Sequence, residues 1–140
     1  MKVLLAVDGS DYTKRMLAYL AAWPEVLGNA PEITVYHGLM AIPPHAAATV
    51  GSAQVRQFHE TELEKVFRPI RAFFAQQGRE ASYVDRVGAI ADGIAEYAEA
   101  GRFHLIVMGS HGHGELAGLV LGSVTTRVLA RCKVPMLIVR

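Results

Sequence analysis

Five short apolar or β-branched segments alternate with four segments of helical character along the 140 residues of this chain. Continuous apolar runs of strand length are typical of parallel strands that are covered on both faces. Strict alternation of strands and helices predicts one parallel sheet with helices on both of its sides. The expected strands are residues 3–7, 33–36, 82–87, 105–108 and 135–139.

The segments between these strands are expected to form four helices, and the longest carries hydrophobic residues at three- and four-residue steps. The first helix is capped by Ser10 or Asp11, and Ser123 is expected to cap the last one. Residues 38–51 are the least regular part of the chain and are expected to form a loop, because they contain two adjacent prolines. The other helices are residues 52–77, 91–100 and 123–131.

These elements predict an α/β fold, a doubly wound five-stranded parallel sheet with four helices in a single domain of residues 1–140. Right-handed crossovers leave few topologies, and the strand order 3-2-1-4-5 is expected. A hydrophobic content of 51% supplies the core of such a domain. Ligands of doubly wound sheets bind at the carboxyl ends of the strands where the strand order reverses, here between the first and fourth strands.

Charge and cysteine content exclude several classes of function. The net charge of +1 creates no overall field that would attract nucleic acid or an acidic membrane. No run approaches the roughly 18 apolar residues of a membrane-spanning helix. The single cysteine, Cys132, cannot form an intrachain disulfide, which is typical of a reducing compartment, so a cytoplasmic location is expected. Basic residues near the C-terminus either attract a small anion or are solvated surface charges, namely Arg127, Arg131, Lys133 and Arg140.

A glycine-rich segment follows the fourth strand and ends where the last helix begins. Glycine allows positive φ and lets the main chain approach a ligand closely. The first amides of the following helix have no intrahelical acceptor, and the helix dipole also favours negative charge there. The segment therefore predicts a phosphate-binding site, to which the hydroxyls of Ser123 and Thr125 would add donors. Its glycines are Gly109, Gly112, Gly114, Gly118 and Gly122.

Two standard phosphate-binding motifs do not account for this segment. The P-loop requires a lysine directly after its second glycine, and the chain contains no Gly-Lys pair. Residues 112–117 formally match the dinucleotide fingerprint G-x-G-x-x-A. That fingerprint requires an acid about 20 residues later, whereas no acid follows Glu115 and only one strand remains. Dinucleotide binding through this motif is therefore not expected.

The wider spacing Gly109-x2-Gly112-x9-Gly122-Ser123 resembles the nucleotide-binding signature of the universal stress protein family, in its ATP-binding branch. The resemblance implies a fold of the adenine nucleotide alpha hydrolase-like type. It also implies ATP, AMP or ADP as the ligand, with Mg or Mn on the phosphates. Five further matches follow in the same order along the chain, at residues 3–10, 35–37, 86–88, 105–112 and 134–139.

The resemblance implies ten ligand-binding positions. Those near the base, the ribose and the first phosphates are Ala6, Asp8, Gly38, Met108, Gly109 and Gly112, and those near the outer phosphates are Gly122, Ser123, Val124 and Thr125. Asp8 would contact the ribose or the metal, and Gly38 would read the adenine edge through its main chain. Gly38 stands where the family usually has a larger aliphatic residue, so a looser pocket is expected on that side.

Several of these residues have simpler interpretations. Asp8 could be a turn residue that caps the next helix. His111 and His113 could bind a metal or approach phosphates, although exposed loop positions are expected and no metal site is predicted. No residue is assigned as a general base or another catalytic group, and Glu115 is the only acid within the glycine segment.

The expected function is that of a regulatory module in stress response, whose nucleotide state controls its conformation or a partner surface. A slow ATPase or nucleotide hydrolase is one alternative, and it lacks an evident base and clamp. A dimeric interaction protein that does not use nucleotide is the other, and the complete glycine spacing argues against it. The resemblance also implies a homodimer that forms through the last strand, where residues 136–139 are an apolar edge that needs cover.

Overall fold

The computed structural model describes residues 1–114 and 118–140, and its centre is a sheet of five parallel strands. The strand order β3-β2-β1-β4-β5 confirms the predicted topology. The central strand β1 pairs with both neighbours, so that Ala6 lies opposite Tyr36 of β2 and Met108 of β4. The strands are β1 Lys2–Val7, β2 Glu32–Leu39, β3 Ser82–Val87, β4 Leu105–Gly109 and β5 Met136–Val139.

Five α-helices and a short 3-10 helix, Pro24–Leu27, connect these strands within the described residues. The α-helices are α1 Asp11–Ala22, α2 Pro44–Val50, α3 Ser52–Gln76, α4 Ile90–Ala100 and α5 Ser123–Arg131. The expectation of four helices is therefore wrong by one.

The additional helix, α2, lies in the segment that was expected to be a loop. Pro44 occupies its first turn, where proline is tolerated because the amides there have no intrahelical acceptor. Three alanines follow, and alanine has the highest helix propensity. Gly51, at a φ of 90°, then separates α2 from α3. None of the residues of α2 is buried, so the helix lies on the surface of the molecule.

Strand β2 is also longer than expected and continues past Tyr36 to Leu39. Its last residues pair with β3, since Gly38 lies opposite Arg86 and Leu39 lies opposite Val87. Pairing with a neighbouring strand, which local propensity does not report, extends the strand. His37 and Gly38 consequently belong to the sheet.

Both faces of the sheet are covered. Successive side chains of β1 face opposite sides of the sheet. Val3 and Leu5 pack against α1 and α3, and Leu4 packs against α4 and α5. All three side chains are fully buried. Burial of each aliphatic side chain of this size contributes about 1.5–3 kcal/mol, so β1 is held strongly from both faces of the sheet.

Helix α3 packs against the sheet through its C-terminal half alone. Val66, Phe67, Ile70 and Phe74 are its buried residues, whereas Phe58 in the N-terminal half is 54% exposed. The helix is continuous through Pro69 and ends before Gly78, whose φ of 63° suits a helix stop. Among the described residues, no helix combines the length and the apolar character that crossing a bilayer requires.

An ion-pair cluster joins α4 to α5. The Asp92 carboxylate accepts a hydrogen bond from Arg127 Nε at 3.1 Å and another from Arg131. The two guanidinium groups hold the pKa of Asp92 below its usual value. Two of the basic residues near the C-terminus are thus paired within the protein, which leaves them less able to attract an anion.

A substitution of Asp92 tests this cluster. Asp92→Asn is expected to lower the melting temperature slightly at neutral pH, because the pair is open to solvent. Folding lowers the pKa of Asp92, so its ionised carboxylate stabilises the folded protein at pH values above the pKa of the unfolded state. This contribution to stability is lost as the pH falls through the pKa of the folded state. The melting curves of the two proteins should therefore converge in acid. A difference that persists in acid would contradict the assignment, and Asp11→Asn is a control for an exposed carboxylate on another helix.

Two glycines with nearly equal φ values differ in how crowded their surroundings are. Gly9 and Gly28 have φ values of 76° and 77°, but only Gly9 is crowded, because an added Cβ would lie 3.1 Å from Val66 Cγ2. Gly28→Ala should cost about 1–3 kcal/mol, because a φ of 77° with a ψ of −178° is a backbone conformation essentially restricted to glycine. Gly9→Ala should cost more, as measured by urea unfolding. Equal losses would contradict the expected effect of crowding by Val66.

Candidate functional site

A cavity of about 500 Å³ opens at the carboxyl ends of β1, β2 and β4. It lies where the strand order reverses, because β1 continues to β2 on one side and pairs with β4 on the other. The structure brings the ten positions implied by the resemblance together around this cavity, namely Ala6, Asp8, Gly38, Met108, Gly109, Gly112, Gly122, Ser123, Val124 and Thr125. Their roles toward a ligand remain predictions.

Asp8 directly follows β1 and forms a turn that leads into α1. Its Oδ1 accepts hydrogen bonds from the Ser10 amide at 2.9 Å and from Thr13 Oγ1 at 3.1 Å. Thr13 Oγ1 in turn accepts from the amides of Asp8 and Gly9, each at 3.2 Å. One carboxylate oxygen is therefore used within the turn, which agrees with the interpretation of Asp8 as a turn residue. The other, Oδ2, faces the main chain of Gly112.

Close approaches within the protein require three glycines of the signature. A side-chain carbon at Gly112 would overlap Asp8 Oδ2, and one at Gly109 would lie 2.6 Å from Tyr12 Cβ. At Gly122 the added carbon would lie 3.0 Å from His111 Cα. The glycines thus let the main chain pack directly on the end of β1 and on α1, which brings backbone amides to the cavity wall.

Helix α5 begins at the cavity. Gly122 is its N-cap, because its carbonyl already accepts the Thr126 amide at 2.9 Å, so the expectation that Ser123 caps this helix is wrong. Ser123 is the first helical residue, and the amides of residues 123–125 have no acceptor within the helix. The Thr125 hydroxyl donates to Gly109 O at 2.9 Å in a buried position, so it joins α5 to β4. The donors available to an anion are therefore amides and the exposed Ser123 hydroxyl.

His111 and His113 lie in a loop, as expected, with His113 exposed and His111 partly exposed, and both make hydrogen bonds. His113 Nε2 donates to Asp8 O at 2.7 Å, and His111 Nε2 donates to Leu119 O at 2.9 Å. A carbonyl only accepts, so each Nε2 must carry its proton in these bonds. They fix the segment to the end of β1 and to the approach of α5. Glu115 lies outside the described residues.

The other end of the cavity is apolar, and α4 forms part of it. A side-chain carbon at Gly38 would lie 2.9 Å from Ile90 Cγ2. Ile90 therefore fills the space that a larger residue at position 38 would occupy, and the expectation of a looser pocket on this side is wrong. Ile94, one turn later, lines the same wall. Sequence reasoning missed both residues, although their spacing marks an apolar helix face.

Helix α3 and the end of β2 complete the mouth through Met40, Phe58, His59 and Glu62. Sequence reasoning missed these residues as well. No local signal identifies them, because their position depends on how the exposed half of α3 extends past the sheet. Nearby, His37 is buried, and its Nδ1 lies 2.8 Å from Val7 O. It is a packed histidine, as expected.

Comparison with known proteins gives the family. The model of the universal stress protein family matches residues 1–140. A universal stress protein of Synechocystis is 32% identical over 139 residues, which are 99% of this chain but 42% of that protein. Another from Thermus aquaticus is 30% identical over 138 residues, 99% of this chain and 97% of the relative. The chain therefore spans less than half of the first relative and nearly all of the second.

Solved structures share the fold. The universal stress protein UspA from Lactobacillus plantarum superposes with a TM-score of 0.82 at 19% identity, over 100% of this chain and 97% of that one. An Arabidopsis thaliana family protein with AMP bound has a TM-score of 0.69 at 16% identity, over 99% and 90%. The Archaeoglobus fulgidus protein in complex with dAMP has a TM-score of 0.70 at 20% identity, over 100% and 98%. With the match along its whole length, this chain belongs to the universal stress protein family.

Proposed function

We propose that this protein binds an adenine nucleotide, ATP in the first instance, in the cavity at the carboxyl ends of β1, β2 and β4. The observation that carries the proposal is the position of the α5 N-terminus, whose unpaired amides face the same cavity as the apolar wall formed by Met108 and Ile90. A nucleotide needs both an anion-binding end and an apolar end. The AMP and dAMP complexes of two structural neighbours support this choice of ligand.

The phosphates are proposed to lie at the N-terminus of α5. The amides of residues 123–125 have no acceptor within the helix, and the helix dipole stabilises an anion by about 0.3–1 kcal/mol at exposed sites. The main chain of Gly109 and Gly112 borders the same space without side chains in the way. Backbone donors of this kind bind a phosphate chain without selecting its length, so ADP and AMP are expected to bind as well.

A divalent cation fits this arrangement. Asp8 Oδ1 is engaged in the turn, whereas Oδ2 faces the cavity side at Gly112. Mg²⁺ is commonly held by one or two carboxylates together with phosphate oxygens and water. Asp8 would supply the protein ligand, and a bound Mg²⁺ or Mn²⁺ would neutralise phosphate charge.

The base and ribose are proposed to occupy the apolar end. Ala6, Met108, Ile90 and Ile94 form its walls, and Gly38 brings the main chain of β2 to its edge. A cavity of about 500 Å³ is within the range that encloses ligands of nucleotide size. Ile90 closes the apolar end of the cavity beside Gly38, and a planar ring fits the space that is left.

Nucleotide binding, rather than turnover, is the function that the described lining supports. Phosphoryl transfer usually requires a lysine or arginine clamp on the transferred group. No lysine or arginine lines the cavity within residues 1–114 and 118–140. We therefore propose a regulatory module in stress response, in which the bound nucleotide changes the hydrogen bonds of His111 and His113 and so the conformation of the glycine segment.

We also propose a homodimer that forms through β5, acting in the cytoplasm. Strand β5 is at the edge of the described sheet and is paired with β4 alone. The carbonyl of Pro135 accepts the amide of Ile106 in β4, and that of Val139 accepts the amide of Ser110 directly after β4, which leaves the outer side of the strand open. An apolar edge of this kind favours pairing with a second copy. The single cysteine fits a reducing compartment.

The phosphate end is tested by a charge at the first residue of α5. Ser123→Asp should weaken ATP binding by about tenfold or more, because a carboxylate would face the phosphates. An acid in the first turn of a helix favours the fold, so the variant should remain stable. The measurement is calorimetric titration of nucleotide-stripped protein with ATP and Mg²⁺. Gly122→Asp is less suitable, since Gly122 packs against His111.

Ser52→Asp is the matched control. Ser52 is also an exposed serine at the first residue of a helix, α3, but it lies outside the cavity lining. Ser52→Asp should bind ATP with the same affinity as the native protein. Equal affinity of all three proteins would contradict the placement of the phosphates, and no binding by the native protein would overturn the proposed function.

The dimer is tested at the sheet edge. Ile138→Lys should convert the protein to a monomer in sedimentation analysis at micromolar concentration, because charged residues at an edge strand prevent edge pairing. Val87→Lys on β3, the opposite edge strand, is the control, since Val87 is already 51% exposed. A native protein that sediments as a monomer with and without ATP would contradict the proposed dimer.

A further inference from the structure

His37 is a buried histidine of the cavity lining that uses one of its two ring nitrogens within the described structure. The residue is 8% exposed, and its Nδ1 lies 2.8 Å from Val7 O. A carbonyl oxygen only accepts, so Nδ1 carries the proton of this hydrogen bond, and the Nε2 of the neutral ring is then an acceptor. Among the described residues Nε2 has no hydrogen-bond partner.

This second nitrogen is open to the cavity. Within residues 1–114 and 118–140, the side-chain atoms that are both shielded from solvent and without a partner are Ser10 Oγ and His59 Nε2. His37 Nε2 also lacks a partner but is not one of these shielded atoms, so part of its surface is accessible. Because the residue is otherwise buried and lines the cavity, that accessible surface faces the cavity. A ligand in the cavity can therefore reach Nε2.

The position of the His37 ring relative to the two faces of the sheet indicates which part of a nucleotide it meets. The ring packs toward α3, with its centroid 6.2 Å from that of Phe67, and Val7 is its register partner on β1. Ala6 and Met108 face α4 instead and belong to the proposed base site. His37 thus lies at the carboxyl end of β1, on the other side of the sheet from the base.

A nucleotide placed as proposed has to cross the end of β1. Its base lies beside Gly38 on β2, and its phosphates lie at the N-terminus of α5, the helix that follows β4. Strand β1 lies between β2 and β4 in the sheet. The ribose joins the base to the phosphates, so the ribose is the part that passes over the end of β1. Its hydroxyl groups can donate, which is what the neutral Nε2 of His37 requires.

Asp8, at the same strand end, is occupied in other ways. The resemblance implies that it contacts either the ribose or the metal. Its Oδ1 is used within the turn, and its Oδ2 is the oxygen proposed above for a divalent cation. Glu62, another acceptor of the lining, is on the exposed half of α3 and pairs with Lys65 at 3.1 Å. His37 Nε2 therefore remains as an acceptor for the ribose.

We propose that His37 Nε2 accepts a hydrogen bond from a ribose hydroxyl and makes the site selective for nucleotides with an intact ribose. The inference rests on the proposed nucleotide function and names the selectivity of that site. A ligand that satisfies a buried acceptor is favoured over an analogue that leaves the acceptor unpaired. The 2′- and 3′-hydroxyls offer the same chemistry, and analogues that lack one or the other distinguish them.

The first test compares ATP with 2′-deoxy-ATP and 3′-deoxy-ATP. Native protein should bind one of the two analogues about three- to tenfold more weakly than ATP, the range expected of one hydrogen bond between neutral groups. Calorimetric titration of nucleotide-stripped protein at a pH of about 8, which favours neutral imidazole, gives the three affinities. Equal affinity for all three nucleotides would overturn the inference and leave the proposed function standing. Absence of ATP binding would overturn both.

Two substitutions separate recognition of the ribose from the internal hydrogen bond of His37. His37→Asn carries an amide nitrogen at the reach of Nδ1, so it can still donate to Val7 O, but it has no acceptor at the position of Nε2. It should bind ATP and the weaker analogue with equal affinity. His37→Gln extends its amide to the position of Nε2 and loses the bond to Val7 O. It should melt at a lower temperature than the native protein and keep most of the preference for ATP.

The quantity to compare is the ratio of two affinities within one protein, because a variant that is only less stable weakens the binding of all three nucleotides alike. His45→Asn makes the same replacement at an exposed position on α2 and should keep the native ratio. A ratio in His37→Asn equal to the native one would assign the preference to another residue and overturn the inference. Should neither variant of His37 fold, the residue has a structural role and the inference is overturned as well.

Discussion

Burial of β1 on both faces is the constraint on which the rest of the structure depends. Val3, Leu4 and Leu5 are fully enclosed between two helical layers, and every backbone group of the strand must therefore pair with β2 or β4. Where β1 ends, β2 and β4 no longer supply hydrogen-bond partners for the backbone. Asp8 and Thr13 take over by accepting the amides of the turn, and this satisfied turn fixes the floor of the cavity.

The glycine segment completes the cavity wall by close packing. Gly109 and Gly112 approach α1 and the end of β1 more closely than any side chain would allow. His113 then bonds to Asp8 O and holds the segment over the turn. Because the same contacts that close the structure also bring backbone amides to the cavity wall, internal packing and the proposed anion binding would require the same residues. Their glycine spacing is therefore visible in the sequence as one pattern.

The strand order and most element positions could be predicted, because apolar runs and helical periodicity reflect burial in a layered fold. Helix α2 could not be predicted, since the pair of prolines before its alanines resembles a loop. The closure of the apolar end was also missed. Its cause is the contact of Ile90 with Gly38, two residues about 50 positions apart that α4 and β2 bring together. No local pattern encodes such a pair.

The sequence by itself determined the family, the strand order and the positions that meet at the end of β1, because each depends on periodic burial or on a glycine pattern within one segment. Only the tertiary structure decided which atoms of those positions stay free. Asp8 Oδ1 and the Thr125 hydroxyl are used internally, whereas Asp8 Oδ2 faces the glycine segment. Hydrogen-bond partners are set by distances between elements, and those distances exist only once the helices have packed on the sheet.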